Sequence, residues 1–313
     1  MRLMLTGATG NVGSRTLPAL LAAGHDVRCL IPDTPAQRRA ARRLPRDAEL
    51  RWGDVRDAAA VRDACEGVEA VVHLAAVIPP TSEEQPDLAR EVNVGGTVNV
   101  VAARPQRLLF ASTLDVHGRT QDRPPPRRVD DPLVATDAYT AHKIECENLV
   151  RDSDLEWCIL RLADVPVLGP RPPHPIMFEI GLDNRIESVH VADVATAITN
   201  ALHTPAAWGR TLFIGGGPTC QLTYREFLTR MLAASGLPPL PDSAFSTAEY
   251  VTDWLDTVDS EALLQYQRHT FDDILTAVRA GLGWRRYLAR LASPIVRASL
   301  LRMSPYYNSA QVQ

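Results

Sequence analysis

The first two-thirds of this 313-residue chain alternate short apolar, often β-branched runs with longer Ala- and Leu-rich stretches. The apolar runs Arg2 to Thr6, Val27 to Ile31, Ala70 to Leu74, Leu108 to Ser112 and Trp157 to Leu162 lack polar alternation. Strands of that kind belong in a parallel sheet covered on both faces. Between them, Val12 to Ala23, Ala58 to Cys65, Leu88 to Ala103 and Ala138 to Arg151 have helical patterning. The alternation predicts an α/β fold built as a doubly wound parallel sheet. Pro124-Pro-Pro126 and Pro170-Arg-Pro-Pro-His-Pro175 interrupt it as surface loops. From Arg171 onward a small, mostly helical lobe is expected, with one returning strand at Thr211 to Ile214 and helices near Tyr224 to Ala234 and Phe271 to Ala280.

Composition narrows the partners. With 45% hydrophobic and 22% charged residues the chain can bury a large core. Its net charge of −4 offers no basic field to a polyanion, so nucleic acid is not expected as a partner. No apolar run approaches the roughly 18–20 residues of a membrane span, and the first strand-like run begins at Arg2, so a cytoplasmic protein is expected. The five cysteines are scattered and lack metal spacing, which suits reduced thiols and predicts no metal site.

Chemistry enters at Thr6-Gly-Ala-Thr-Gly-Asn-Val-Gly13, immediately after the first strand. Gly7, Gly10 and Gly13 permit a tight turn, close backbone approach to a pyrophosphate and close helix packing, while the helix N-terminus favours an anion. With Thr9, Asn11 and Val12 they form the expected dinucleotide loop of a Rossmann-type fold. The predicted division is a dinucleotide-binding domain over 1–170, rejoined by 188–215, with 171–187 and 216–313 forming the substrate and C-terminal lobe.

Lys143 is the only lysine in a chain with 33 basic residues. It follows Tyr139 by four positions, which puts both on one helix face. A cation beside a phenol favours the phenolate and lowers its pKa by about 1–3 units, which predicts a general acid/base at Tyr139.

Five further blocks fall in order: Gly53-Asp-Val55, His73-Leu-Ala-Ala76, Asn93-Val-Gly-Gly-Thr-Val-Asn-Val100, Phe110-Ala-Ser-Thr-Leu-Asp-Val-His-Gly118 and His190-Val-Ala-Asp-Val194. Together with the glycine turn and the Tyr/Lys pair, they make the chain resemble, from residue 1 to about 235, the extended short-chain dehydrogenase/reductases of the NAD-dependent epimerase/dehydratase family. The resemblance implies that Asp54 and Val55 receive adenine and that Leu74, Ala75 and Ala76 wall the cofactor, with Asn93 and Leu162 also in its site. It implies that Thr113, with Ser112 beside it, orients the reacting oxygen next to Tyr139, and that Lys143 binds the nicotinamide ribose. A homodimer is expected by the same analogy. At the end of the second strand, Asp33 argues for NAD while Arg38 and Arg39 argue for NADP; the balance leans to NAD.

Departures from the family pattern shape the expected reaction. His117 stands where an aromatic usually precedes Gly118, and a wall residue is expected there in preference to a proton relay. Leu114 and Asp115 occupy the places of the two dehydratase acids, so plain dehydration is disfavoured. Asp164 replaces an Asn that helps hold a sugar nucleotide, and its carboxylate would repel a diphosphate, although Arg171 and Arg185 remain as candidate anion grips. The expected substrate contacts are Thr113, Asp115, Asp164, Arg171 and Arg185. The expected function is an NAD(P)-dependent oxidoreductase interconverting carbonyl and alcohol on a small metabolite, with a place in biosynthesis. The alternatives are a nucleotide-sugar epimerase with tightly bound NAD and a non-catalytic cofactor-sensing protein.

Near the C-terminus, Trp284, Tyr287, Leu288, Leu291 and Ile295 share one helical face, opposite Arg285, Arg286, Arg290 and Arg297, with Pro294 expected to kink or break the helix. Packing on its own domain or on a second subunit is expected in preference to a membrane surface. Ser304 to Asn308 and the residues beyond are expected to fray.

Overall fold

The computed structural model describes residues 1–307. Its strands are β1 (Arg2–Thr6), β2 (Asp26–Ile31), β3 (Glu49–Trp52), β4 (Ala70–His73), β5 (Arg107–Thr113), β6 (Glu156–Leu162), β7 (Arg185–Glu187), β8 (Arg210–Ile214) and β9 (Gln221–Thr223). Seven of them form a parallel sheet in the order β3-β2-β1-β4-β5-β6-β8; β7 and β9 pair antiparallel outside it. The helices are α1 (Gly13–Ala22), α2 (Pro35–Ala41), α3 (Ala58–Cys65), α4 (Thr81–Glu84), α5 (Pro86–Arg90), α6 (Gly96–Ala102) and α7 (Ala138–Arg151). They continue with α8 (Val191–His203), α9 (Tyr224–Ala234), α10 (Val258–Leu264), α11 (Phe271–Leu282), α12 (Arg285–Leu291) and α13 (Ser293–Met303).

Strand side chains alternate between two faces, and β1 shows the result directly. Leu3 and Leu5 enter a core with Leu17, Leu20, Val194 and Ile198 of α1 and α8, while Met4 points to the opposite core with Val61, Val100, Cys146 and Val150 of α3, α6 and α7. Both faces are therefore covered, as the uninterrupted apolar runs require. All five cysteines are free and buried.

Several elements differ from expectation. β3 escaped notice because it is an edge strand: Glu49-Leu-Arg-Trp52 is only partly buried and carries no apolar run. The helix expected over 88–103 is interrupted by a π-turn at Glu91–Gly95, leaving α5 and α6 on either side. Gly96 then packs so closely that a Cβ there would lie 2.9 Å from Val55 Cγ2.

The C-terminal lobe has its own core around Phe178, Ile186, Tyr224, Leu228 and Phe245, into which α13 inserts Leu300 and Leu301. The break near Pro294 occurs at Ala292, and Pro294 sits in the first turn of α13, where its missing N–H costs nothing. Residues 304–307 do not fray: Ser304 is buried and its hydroxyl donates to the Ala244 carbonyl, while Tyr306 donates to Glu179. Asn308 and the rest of the expected tail lie outside the described residues. The apolar face of α12 does not pack on its own domain, a second correction, because Trp284, Tyr287, Leu288, Leu291 and Ile295 all remain exposed.

Candidate active site

The sheet changes winding direction between β1 and β4, and the crevice at the carboxyl ends of those strands is where doubly wound sheets bind ligands. The β1–α1 turn is shaped by steric necessity. Gly7 has φ +71°, and a Cβ on it would lie 2.8 Å from the Ala75 nitrogen; a Cβ on Gly13 would lie 2.1 Å from the Gly7 carbonyl oxygen. Gly10 N–H closes the turn by donating to Gly7 O at 3.0 Å. Beneath it the Thr6 hydroxyl accepts from the Leu74 and Ala75 backbone at 3.1 Å, which holds the 74–76 wall against the turn. This cradle, open at α1's N-terminus and too tight for any side chain, fits a dinucleotide pyrophosphate.

Other expected cofactor residues have partners of their own. Asn11 Nδ2 donates to Val165 O at 3.0 Å, and the Thr9 hydroxyl bonds Gln37 of α2. Val12 N-caps α1 without a side-chain bond, and Leu162 packs at the end of β6. Asp33 and Arg38 are joined to each other on the surface, and the Arg38 guanidinium lies 4.7 Å from the Trp52 ring centre. Asp54 is paired with Arg56 at 2.9 Å, which holds its carboxyl below the usual range, and the Val55 carbonyl accepts from Asn99. Asn93 is held by the loop after β4: its amide donates to Val77 O and accepts from Val77 N at 2.9 and 2.7 Å. The π-turn thus lets Asn93 clamp the loop after β4.

Tyr139, Lys143 and Thr113 converge at the ends of β5 and α7. Asp137 and Thr140 form a capping box that starts α7 at Ala138, so Tyr139 occupies its first turn. The Glu83 carboxylate of α4, not anticipated from sequence, accepts from the Ala138 and Tyr139 backbone at 3.2 and 3.1 Å, satisfying helix N–H groups. Lys143 Nζ donates to Ala111 O at 2.7 Å and lies 4.7 Å from the Phe110 ring and 5.9 Å from the Tyr139 ring. Thr113 faces Tyr139 and Asp115, whereas Ser112, on the opposite face of β5, is buried beside Glu147.

The expected depression of the Tyr139 pKa is corrected here. Burial first, then the Asp115 and Asp137 carboxylates, push the phenol upward, and a Thr113 hydrogen bond only partly offsets them. Lys143, whose own pKa burial lowers, spends its hydrogen bond on Ala111. Asp115 is pushed up to about 7 by burial, despite a hydrogen bond from Thr113, with Asp137 and Asp164 adding to the rise. Asp164 is raised to about 6 by its protein surroundings, although one side of it stays open to solvent, and the exposed Arg171 pulls the other way. Tyr250, which sequence reasoning missed, contributes a phenol close enough to feel Asp115 and Asp137. Only the tertiary fold brings it there, since it lies beyond the family motifs.

Two further residues are engaged by protein partners. Arg185 is bound to Asp253 at 2.6 Å, and its remaining nitrogens donate to the carbonyls of Thr120, Gln121 and Arg123, so it is no free anion grip. The buried Asp253 also pairs with Arg127. His117 is a wall residue: its Nε2 meets Arg161 at 3.0 Å, and burial with that cation lowers its pKa to about 4. Among the described residues no His/Cys/Asp/Glu group has metal-site geometry.

Known proteins resemble this chain. A model of the NAD dependent epimerase/dehydratase family matches residues 3–178. L-arabinose 1-dehydrogenase (NAD(P)(+)) of Haloferax volcanii is 45% identical over 120 residues, which is 37% of this chain and 42% of the relative. A UDP-glucose 4-epimerase of Azospirillum brasilense is 27% identical over 340 residues, 92% of each chain. For the first curated relatives the match spans about half their length or less, 42% and 48% for two of them. The Thermus thermophilus UDP-glucose 4-epimerase in complex with NAD superposes with a TM-score of 0.72 at 26% identity, covering 90% of this chain and 99% of that one. A short-chain dehydrogenase/reductase superfamily protein of Agrobacterium tumefaciens with bound NAD shares the fold at a TM-score of 0.71, 22% identity and coverage of 93% and 99%. Since the family model spans more than half the chain, this protein belongs to the NAD-dependent epimerase/dehydratase family, whose dinucleotide cofactor the glycine cradle fits.

Proposed function

We propose that this enzyme is a dehydrogenase or reductase acting on a small, uncharged, hydroxyl-rich metabolite. The observation that carries the reading is the charge of the cleft. The Asp115 carboxylate acts on Tyr139, Asp164 lies close enough to act on Asp115, and Arg185 is already neutralised by Asp253. A sugar diphosphate would meet carboxylates there, with Arg171 as its one opposing charge among the expected contacts. Neutral hydroxyls instead find acceptors, since a carboxylate can take two hydrogen bonds at once.

Bound NAD or NADP would accept or deliver the hydride. The glycine turn and the 74–76 wall would hold it, and Lys143 would place its charge beneath the reacting centre. Tyr139 would transfer the proton at the substrate oxygen, which the Thr113 hydroxyl would position. The raised Tyr139 pKa keeps the proton on the phenol, the form that carbonyl reduction needs.

The test is turnover of free aldoses and polyols with NAD and NADP, followed by nicotinamide absorbance, beside calorimetric titration with UDP and TDP. Turnover of a free sugar without measurable diphosphate binding is expected; conversion of a UDP-sugar to its epimer would overturn the reading. That second reading, an epimerase, draws on the Azospirillum brasilense relative aligned along 92% of both chains. Stoichiometric, non-exchanging NAD released on denaturation would favour it.

A further inference from the structure

The α12–α13 segment, kinked at Ala292, carries large apolar side chains that nothing among this chain's described residues covers. Trp284, Leu291 and Ile295 are 68, 82 and 75% exposed, and Tyr287 and Leu288 are more than half exposed. A scattered exposed Leu needs no explanation, but five large apolar side chains exposed between Trp284 and Ile295 do.

The segment is held rigidly. Gly236 lies so close under α12 that a Cβ on it would be 2.4 Å from the Arg286 carbonyl oxygen, and Leu300 and Leu301 anchor α13 in the lobe core. Folding alone therefore presents these side chains, and no slack segment is available to turn them inward.

Charge says what covers it. After Asp273 the chain contains no Asp or Glu and six arginines, at 279, 285, 286, 290, 297 and 302, although its net charge is −4. Among the described residues Arg285, Arg290, Arg297 and Arg302 have no carboxylate partner. Arg297 and Arg302 also flank a cleft walled by Pro238, Pro294, Leu301 and Tyr307. A two-fold contact with a second copy would set this cationic face against itself and repel. An anionic lipid surface accepts both features: Trp and Tyr sit at the headgroup level, Leu and Ile enter the acyl boundary, and arginine stems reach back to phosphates.

We propose that the α12–α13 segment docks this enzyme peripherally on an anionic phospholipid bilayer. No helix among the described residues is long and apolar enough to cross one, so the attachment lies in the interface. Arginines near such a surface each contribute about fivefold to partitioning, and the attraction weakens with salt.

The experiment is co-sedimentation of the full chain with phosphatidylglycerol-containing vesicles and with pure phosphatidylcholine vesicles. Binding to the former at least tenfold tighter than to the latter is expected. Arg285→Gln with Arg290→Gln should weaken it about 25-fold, and Leu288→Asp with Leu291→Asp at least tenfold. These sites are exposed, and unchanged circular dichroism melting confirms that the variants fold. In the unsubstituted protein, brominated phosphatidylglycerol should quench a fluorescence component that Trp284→Phe removes. The proposal is overturned by failure to bind either vesicle, by equal binding of the Leu→Asp variant, or by light scattering that shows a dimer split by Leu291→Asp, which would make the face a contact between copies.

Discussion

At Tyr139 a cation and a carboxylate compete for the same proton. Lys143 sits 5.9 Å from the ring, yet burial and Asp115 prevail and keep the phenol protonated. Tyr139→Phe is expected to lower kcat by about 10²–10⁴ while cofactor affinity, followed by fluorescence titration, stays nearly constant; retained activity would remove Tyr139 from the mechanism. Replacing Asp115 by Asn removes a negative charge that disfavours the phenolate, so the ascending limb of kcat/KM for alcohol oxidation should move to lower pH. The same substitution has a stability signature. A carboxyl raised from its ordinary 3.8 to about 7 stabilises the fold below the lower value, and that contribution disappears as pH rises through about 7. Asp115→Asn should therefore raise Tm near pH 8 and leave it unchanged near about pH 4; an equal shift at both would contradict a reluctantly ionised Asp115.

At the scale of elements, α7 is fastened to the sheet by a buried ion pair. Arg161 of β6 donates to Glu147 of α7 at 2.9 and 2.7 Å and also meets His117 after β5. Burial pushes the Glu147 carboxyl up, but the Arg161 hydrogen bonds outweigh that and leave it low. Glu147→Ala would strand a buried guanidinium, and a loss of about 3–5 kcal/mol is expected in urea denaturation; a loss near zero would mean that the pair does not hold α7. Gly13→Ala places a Cβ 2.1 Å from the Gly7 carbonyl, so the β1–α1 turn must open and cofactor affinity should collapse. Elements whose signals are local could be read in advance. The apolar run of β1 and the patterning of α3, α7 and α9 located each of these elements. The π-turn could not be read, because it depends on Asn93 reaching Val77, sixteen residues away.

For the whole molecule, cofactor binding and folding are linked, since the cradle exists only when β1, α1 and β4 are assembled. At about 100 times its Kd, NAD should stabilise the protein by ~2.7 kcal/mol, a Tm rise of roughly 4 °C. With Asp33 at the end of β2, NAD is expected to give a larger shift than NADP, and Asp33→Ala should narrow the difference. A larger shift with NADP would place Arg38, which Asp33 now holds, on the cofactor phosphate.

Sequence alone determined the parallel sheet, the glycine turn and the Tyr139/Lys143 face, because hydrophobic period, glycine sterics and i,i+4 spacing act over a few residues. Tertiary structure decided the rest. Charges from distant segments meet only in the fold: Asp253 reaches Arg185 across 68 residues and engages it, and burial together with the Asp115 carboxylate from a different element raises the Tyr139 pKa. Likewise, the amphipathic pattern of residues 284–295 was visible in the chain, but that its apolar side chains stay exposed depended on how Leu300, Leu301 and Gly236 hold the α12–α13 segment. Electrostatics and packing act through space, and sequence separation carries no record of that distance.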